Sequence, residues 1–256
     1  MPADQRPPPA GRVTGWRPEV GPDLDTAIDE LGAGELTVEG RLPWSSNLTF
    51  LVSLGTDGPD PLRAVYKPAG GEQALWDFPD GLYRREVAAF VLSEALGWGI
   101  VPPTVAREDG PLGAGSLQLF VEADYEEHYF TVFDEGSRGD QLRTICAFDI
   151  VANNADRKSG HVLTGSDERL WAIDHGLCFH RQHKLRTVIW DFAGEEVPEG
   201  VLADLARLGS NLPEALDALL SEPEREAILG RITALVREGT FPEPTGDRPP
   251  YPWPLV

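Results

Sequence analysis

Lysine is nearly missing from this sequence. Of 22 basic residues only three, Lys67, Lys158 and Lys184, are lysine, against 42 acidic residues and a formal net charge of −20. So acidic a balance excludes broad, charge-driven binding to nucleic acid or to an anionic membrane face. It also singles out each lysine, because arginine supplies the ordinary surface charge. Cysteine is scarce too. Cys146 and Cys178 make neither a disulfide framework nor a metal-ligand spacing, and a reduced, cytoplasmic home is expected. No run of eighteen apolar residues occurs, so no helical membrane span is expected. The N-terminus lacks the charged-then-apolar pattern of a secretory signal, and none is expected. Walker A, G-x-G-x-x-G, G-x-S-x-G and zinc motifs are all missing.

What is present changes character along the chain. Residues 1–20, rich in Pro, Gly and Arg, read as a loose N-terminal tail, and 241–256 as a Pro-rich C-terminal one. Between them, Asp23–Leu31 has helical spacing with Asp23 as N-cap. Three strand-like runs follow, Glu35–Leu42, Leu48–Leu54 and Arg63–Tyr66, with a turn at Gly55–Pro59. Apolar residues at 87, 90, 91 and 95 predict a helix over Tyr83–Leu96, stopped by Gly97. Ser116–Val121 reads as a further strand. Gln141–Ala152 reads as a helix, His161–Leu163 and Leu170–Ile173 as short strands, and about 200–208, 213–220 and 222–237 as helices. The expected fold is α+β, with a β-rich N-lobe over 21–122 and a mainly helical C-lobe over 123–240.

Two carboxylates stand at element ends. Asp156 follows the Gln141–Ala152 helix in Asn153-Asn154-Ala155-Asp156-Arg157-Lys158, and Asp174 closes a strand in Ala172-Ile173-Asp174-His175-Gly176. Phosphoryl transfer needs such a pair: one carboxylate to orient an acceptor hydroxyl, one to hold a metal ion against phosphates. Either Asp alone also reads as an ordinary turn or loop residue. Upstream, Lys67 follows the third strand and Glu86 opens the next helix, the pairing that places a lysine on ATP phosphates. Ser45, Ser46 and Asn47, between the first two strands, offer donors to phosphate oxygens or form a plain polar hairpin. His180, Arg181, His183, Lys184 and Arg186 form the densest basic cluster, which either receives an anionic substrate or offsets nearby acids.

These residues carry a family resemblance. Gly115–Glu122 resembles the hinge strand of type II phosphatidylinositol 4-kinases. Asp149–Arg157 resembles their catalytic segment, and Ala172–Phe179 their metal-binding segment. Ser45-Ser46-Asn47 and Tyr66-Lys67-Pro68 fall at their phosphate loop and ATP-binding lysine. The order and rough spacing agree over about residues 36–192. The resemblance implies a two-lobe, protein-kinase-like fold that binds ATP with Mg²⁺ or Mn²⁺. It implies Asp156 as catalytic aspartate, Asp174 as metal ligand, and Lys67, paired with Glu86, on the phosphates. Gln118, Phe120 and Val121 would meet the adenine edge. His161 stands where that family has an Asn as second metal ligand, and imidazole suits Mn²⁺ better than Mg²⁺. His175 stands where protein kinases have the Phe of their metal-binding triplet. The palmitoylated insert of the eukaryotic enzymes is missing between Tyr66 and Glu86, so no stable membrane insertion is expected. The acceptor stays open between a protein, a small molecule and an inositol lipid headgroup. Alternatives to an active kinase are a nucleotide-binding regulatory module and an enzyme that transfers AMP.

Overall fold

The computed structural model describes residues 23–43, 45, 47–55, 61–244 and 250–255. The expected tail at 1–20, most of the Gly55–Pro59 turn, part of the 241–256 segment and Ser46 lie outside these residues.

Helix α1 (Leu24–Ala33) starts where Asp23 accepts the Thr26 N–H at 3.1 Å. An antiparallel sheet follows, built from β1 (Leu36–Arg41), β2 (Phe50–Leu54), β3 (Leu62–Pro68), β4 (Thr104–Gly110) and β5 (Gly113–Leu119), in the order β1-β2-β3-β5-β4. The two-residue period of β3 turns Ala64 and Tyr66 to one face, where they pack with Leu117, Leu119 and Leu31 of α1. Lys67, one residue on, points to the other face. There helix α2 (Tyr83–Leu96) lies, ended by Gly97 in a left-handed conformation, φ 74°. Strand β4 does not stand out in the sequence because Arg107 breaks its polarity. The side chain is buried, donating to the carbonyls of Leu31 and Gly34 and pairing with Asp109.

The second half holds β6 (Ala123–Asp124), α3 (Tyr129–Glu135), α4 (Gly139–Ala152), β7 (Val162–Gly165), β8 (Leu170–Ala172), α5 (Glu199–Leu208) and α6 (Glu222–Glu238). Strands β6, β7 and β8 form a small antiparallel sheet. The strand expected to start at His161 starts one residue later, since Ser159–His161 is a 3₁₀ turn. The strand expected over Ser116–Val121 starts at Gly113 and ends at Leu119. Helix α3 carries too few residues for a clear period and was not expected.

Two cores divide the molecule differently from the order of its elements. The sheet and α1 share one. The other takes Ala88, Ala89, Phe90, Leu92 and Leu96 of α2 together with α4, α5 and α6. Polar contacts reinforce this second unit: Arg85 of α2 pairs with Glu224 of α6 and donates to the Cys178 carbonyl at 2.6 Å. Trp98 Nε1 donates to Asp204 at 3.2 Å. The Pro-rich C-terminal stretch docks on the same unit. Thr187 N–H and Trp190 Nε1 donate to the Pro250 carbonyl, and Ser159 N–H to that of Leu255 at 2.8 Å. Among the described residues no helix is long and apolar enough to cross a membrane.

Candidate functional site

The sheet and the helical unit face each other across a cleft of about 770 Å³, counted with its space open to solvent. Ser45, Asn47, Lys67, Glu86, Asp156 and Asp174 all line it. Six residues marked in the sequence thus meet at one place, although up to 129 positions separate Ser45 from Asp174.

Lys67 is the hinge of the geometry. Its ammonium donates to Glu86 Oε1 and, at 2.8 Å, to Asp174 Oδ1. Burial works against that charge, but the carboxylates of Asp174 and Glu86 outweigh it and hold the lysine above its ordinary pKa. Burial raises Glu86, with Lys67 offsetting only part of the rise. Burial would raise Asp174 as well, yet Lys67 and His161 overcome it and hold this carboxyl well below the usual range. Asp174 is therefore ionised. It lies deep between the two units while keeping 47% of its side-chain surface open to the cleft. Its backbone is left-handed, φ 60°, a conformation that a non-glycine residue keeps only when its surroundings impose it.

Asp156 faces this cluster from the end of α4. Asn153 closes that helix in a left-handed turn, φ 55°, and ties it to the later chain by donating to the carbonyls of His180 and Gln182. Asn154 bonds back to Asp149 and receives the Asp156 N–H at 3.0 Å. Lys158 pairs with Asp156 Oδ2 at 3.0 Å. Burial lifts the Asp156 pKa above the usual carboxylate value, and Lys158 cancels only part of that rise. His161 Nε2 stands 3.3 Å from Asp174 Oδ2. Burial, against the pull of Asp174, lowers this imidazole to about 4, so it is neutral near pH 7.

The chemistry of this donor set bears on a metal. Among the described residues no group of three or more His, Cys, Asp or Glu side chains is placed to hold one. Asp174 and His161 offer two donors at a separation near the about 3 Å expected between neighbouring ligands of a small divalent ion. That set fits an ion completed by phosphate oxygens and water, as magnesium usually is.

Local bonds hold the loop between β1 and β2. Ser45 Oγ is 2.8 Å from Thr49 Oγ1, and Asn47 accepts the Gln73 N–H at 2.9 Å, which pins the loop to the segment after β3. Gln118, Phe120 and Val121 do not line this cleft. Gln118 is buried and bonded to Thr104, and the Phe120 N–H goes to the Arg63 carbonyl. In the basic cluster, Lys184 pairs with Asp77 at 2.6 Å and lies 5.4 Å from the ring of the exposed Trp76. All three lysines of the chain therefore hold a carboxylate at or beside the cleft. Two residues that motif reading left without roles also prove central: Arg157, fully buried and bonded to Asp149, and His175, whose N–H donates to Glu86 Oε2 at 2.9 Å.

No protein-family model matches the chain. Over 262 aligned positions it is 40% identical to Protein Rv2133c of Mycobacterium tuberculosis, covering 88% of this chain and 93% of that protein. It is 29% identical to phosphatidylinositol 4-kinase gamma 2 of Arabidopsis thaliana over 189 residues, 53% of this chain but only 33% of the plant protein. Among solved structures, the Golgi casein kinase matches with a TM-score of 0.55 at 15% identity, covering 84% of this chain and 74% of that one. The hydra Fam20 structure with sugar matches at 0.54 and 15%, covering 89% and 90%. The Golgi casein kinase with Mn and ADP bound matches at 0.52 and 14%, covering 91% and 80%. At such identities the likeness establishes the fold: a kinase-like, two-lobe α+β architecture.

Proposed function

This chain belongs to the same family as Protein Rv2133c of Mycobacterium tuberculosis, and we propose that it acts as an ATP-dependent phosphotransferase, an atypical kinase. One observation carries the reading: Lys67 bridges Glu86 and Asp174 across a cleft whose far wall presents Asp156. Phosphoryl transfer asks the protein mainly for positioning and charge, and these groups supply both.

In this reading Lys67 cradles the phosphates and Glu86 fixes its approach. Asp174 and His161 hold a divalent cation, which supplies charge neutralisation on the transferring phosphate. A solved neighbour of the same fold binds Mn and ADP, which supports that choice of ligands. Asp156 orients the acceptor hydroxyl. As the acceptor oxygen bonds to the γ-phosphorus and the bond to the β-bridging oxygen breaks, Asp156 receives the hydroxyl proton. Its raised pKa suits it to hold that proton. Lys158, 3.0 Å from Asp156, faces the incoming negative charge. The partial likeness to a plant phosphatidylinositol 4-kinase supports a hydroxyl acceptor without narrowing it to a lipid.

The test is direct. Purified protein is incubated with γ-labelled ATP and Mg²⁺ or Mn²⁺, alone and with acceptor panels. Label transfer or ATP turnover that Asp156→Ala abolishes is expected. Turnover equal in wild type and Asp156→Ala would overturn the assignment, and transfer from α-labelled ATP instead would identify AMP as the group moved.

A further inference from the structure

A guanidinium carries five N–H donors in a fixed fork, and Arg157 uses all of them inside the protein. Nε and one Nη2 hydrogen meet Asp149 Oδ2 and Oδ1, each at 2.9 Å. The two Nη1 hydrogens go to the carbonyls of His161, at 3.1 Å, and Ile173, at 2.7 Å. The last Nη2 hydrogen points at Nε2 of His175, 2.8 Å away. Because the guanidinium only donates, His175 Nε2 accepts, and the ring proton sits on Nδ1.

These contacts surround Asp174. Arg157 holds the carbonyl of the residue before it and the side chain of the residue after it, and a third bond holds the carbonyl of His161. His175 completes the frame: its N–H donates to Glu86, and its ring meets Phe148 edge-on at 5.5 Å. Both His175 and Arg157 are fully buried and neither reaches the cleft. The left-handed backbone of Asp174 is thus flanked on both sides by bonds to one buried guanidinium.

We propose that Arg157 and His175, backed by Asp149, are positioning residues that set Asp174 and His161 at the separation that receives a divalent cation. The proposal rests on the phosphotransferase reading of the cleft. It gives the imidazole after Asp174 a role: its ring meets Phe148 edge-on, while its Nε2 accepts the one Arg157 N–H that no carbonyl or carboxylate takes.

Two substitutions separate packing from acceptance. His175→Phe keeps a ring beside Phe148 and removes the acceptor. His175→Gln loses the ring but extends an amide oxygen to about the reach of Nε2. Mn²⁺ binding is read from the electron paramagnetic resonance signal of free Mn²⁺, with and without ADP, so that no turnover is needed. His175→Phe is expected to weaken Mn²⁺ binding about tenfold, the loss for one buried hydrogen bond. His175→Gln is expected to stay within about twofold of wild type, and ADP affinity without metal to be unchanged in both. In ATP turnover, the half-saturating metal concentration rises by the same factor in His175→Phe while kcat at saturating metal is retained. Should His175→Phe lack wild-type ellipticity, His175→Leu carries the same test. Equal Mn²⁺ binding in all variants, or equal weakening in His175→Gln and His175→Phe, would overturn the positioning role and leave the kinase reading standing. The expected Mn²⁺ shifts without any γ-label transfer would uphold the positioning role and remove the kinase reading. A wild type that binds no Mn²⁺ with or without ADP overturns both.

Discussion

Glu86→Gln removes one of the two anions around Lys67 while keeping the side chain's shape. The Glu86 side chain is 3% exposed and that of Lys67 21%, so water compensates little. In the wild type, one carboxylate oxygen takes the Lys67 ammonium and the other the His175 N–H. The amide keeps one acceptor and turns the other position into a donor, which opposes whichever N–H it meets. A charge-assisted hydrogen bond contributes about 1.5–3 kcal/mol, and removing one member of a fully buried ion pair costs about 3–5 kcal/mol. Two facts pull the loss to the low end. Lys67 keeps Asp174 at 2.8 Å, and burial already disfavours the Glu86 charge. A loss of about 2 kcal/mol in unfolding free energy is expected, read by urea denaturation at neutral pH. If Lys67 meets ATP phosphates only while α2 holds it, nucleotide affinity should fall by a similar free energy, about thirtyfold, in calorimetric titration. A Glu86→Gln protein that binds ATP within about threefold of wild type would refute the reasoning, because Lys67 would then need no partner on α2.

Glu224→Ala leaves the buried Arg85 guanidinium without its carboxylate, keeping the Cys178 carbonyl and the Phe78 ring face, so a loss of about 3–5 kcal/mol in urea unfolding is expected. Asp156→Asn should abolish transfer, keep ATP binding in calorimetry, and raise Tm near pH 7. The sign follows from linkage: burial raises the folded-state pKa of Asp156, so its ionised form disfavours folding above that value, and the gain from Asn should vanish as pH falls below the unfolded carboxylate value. A Tm gain that grows towards acid pH would contradict this. His161→Asn replaces imidazole by a hard oxygen ligand, and the ratio of Mn²⁺ to Mg²⁺ half-activating concentrations should move in favour of Mg²⁺.

Much of the cleft was legible in sequence because chemistry-bearing residues sit at element ends. Lys67 closes a strand, Glu86 opens a helix, and Asp156 and Asp174 follow a helix and a strand, so each stands near the place where backbone pairing stops. What stayed illegible was buried charge. Arg107 hides β4 because a polar residue on an inward face breaks the alternation that marks a strand. Arg157 looked like part of a motif, and nothing local reports that its partners are Asp149, His161, Ile173 and His175. Gln118 is a related case: the sequence marks it as polar but does not say that Thr104 takes up its side chain. The membership of α2 in the helical core was hidden as well, since helix periodicity shows that a face is apolar, not what covers it.

The scarcity of lysine has a practical consequence. Lys67, Lys158 and Lys184 are each tied to a carboxylate at or beside the cleft, and none keeps more than 22% of its side chain exposed. Apart from the chain's own terminal amine, the protein offers acylating reagents no other primary amine. Amine-directed labelling followed by mass spectrometry would therefore act as an occupancy meter for the cleft, with nucleotide protecting Lys67 and the acceptor protecting Lys158. The rest of the surface, carrying its positive charge on arginine alone, would stay silent to acetylation, ubiquitin-type conjugation and amine crosslinkers alike.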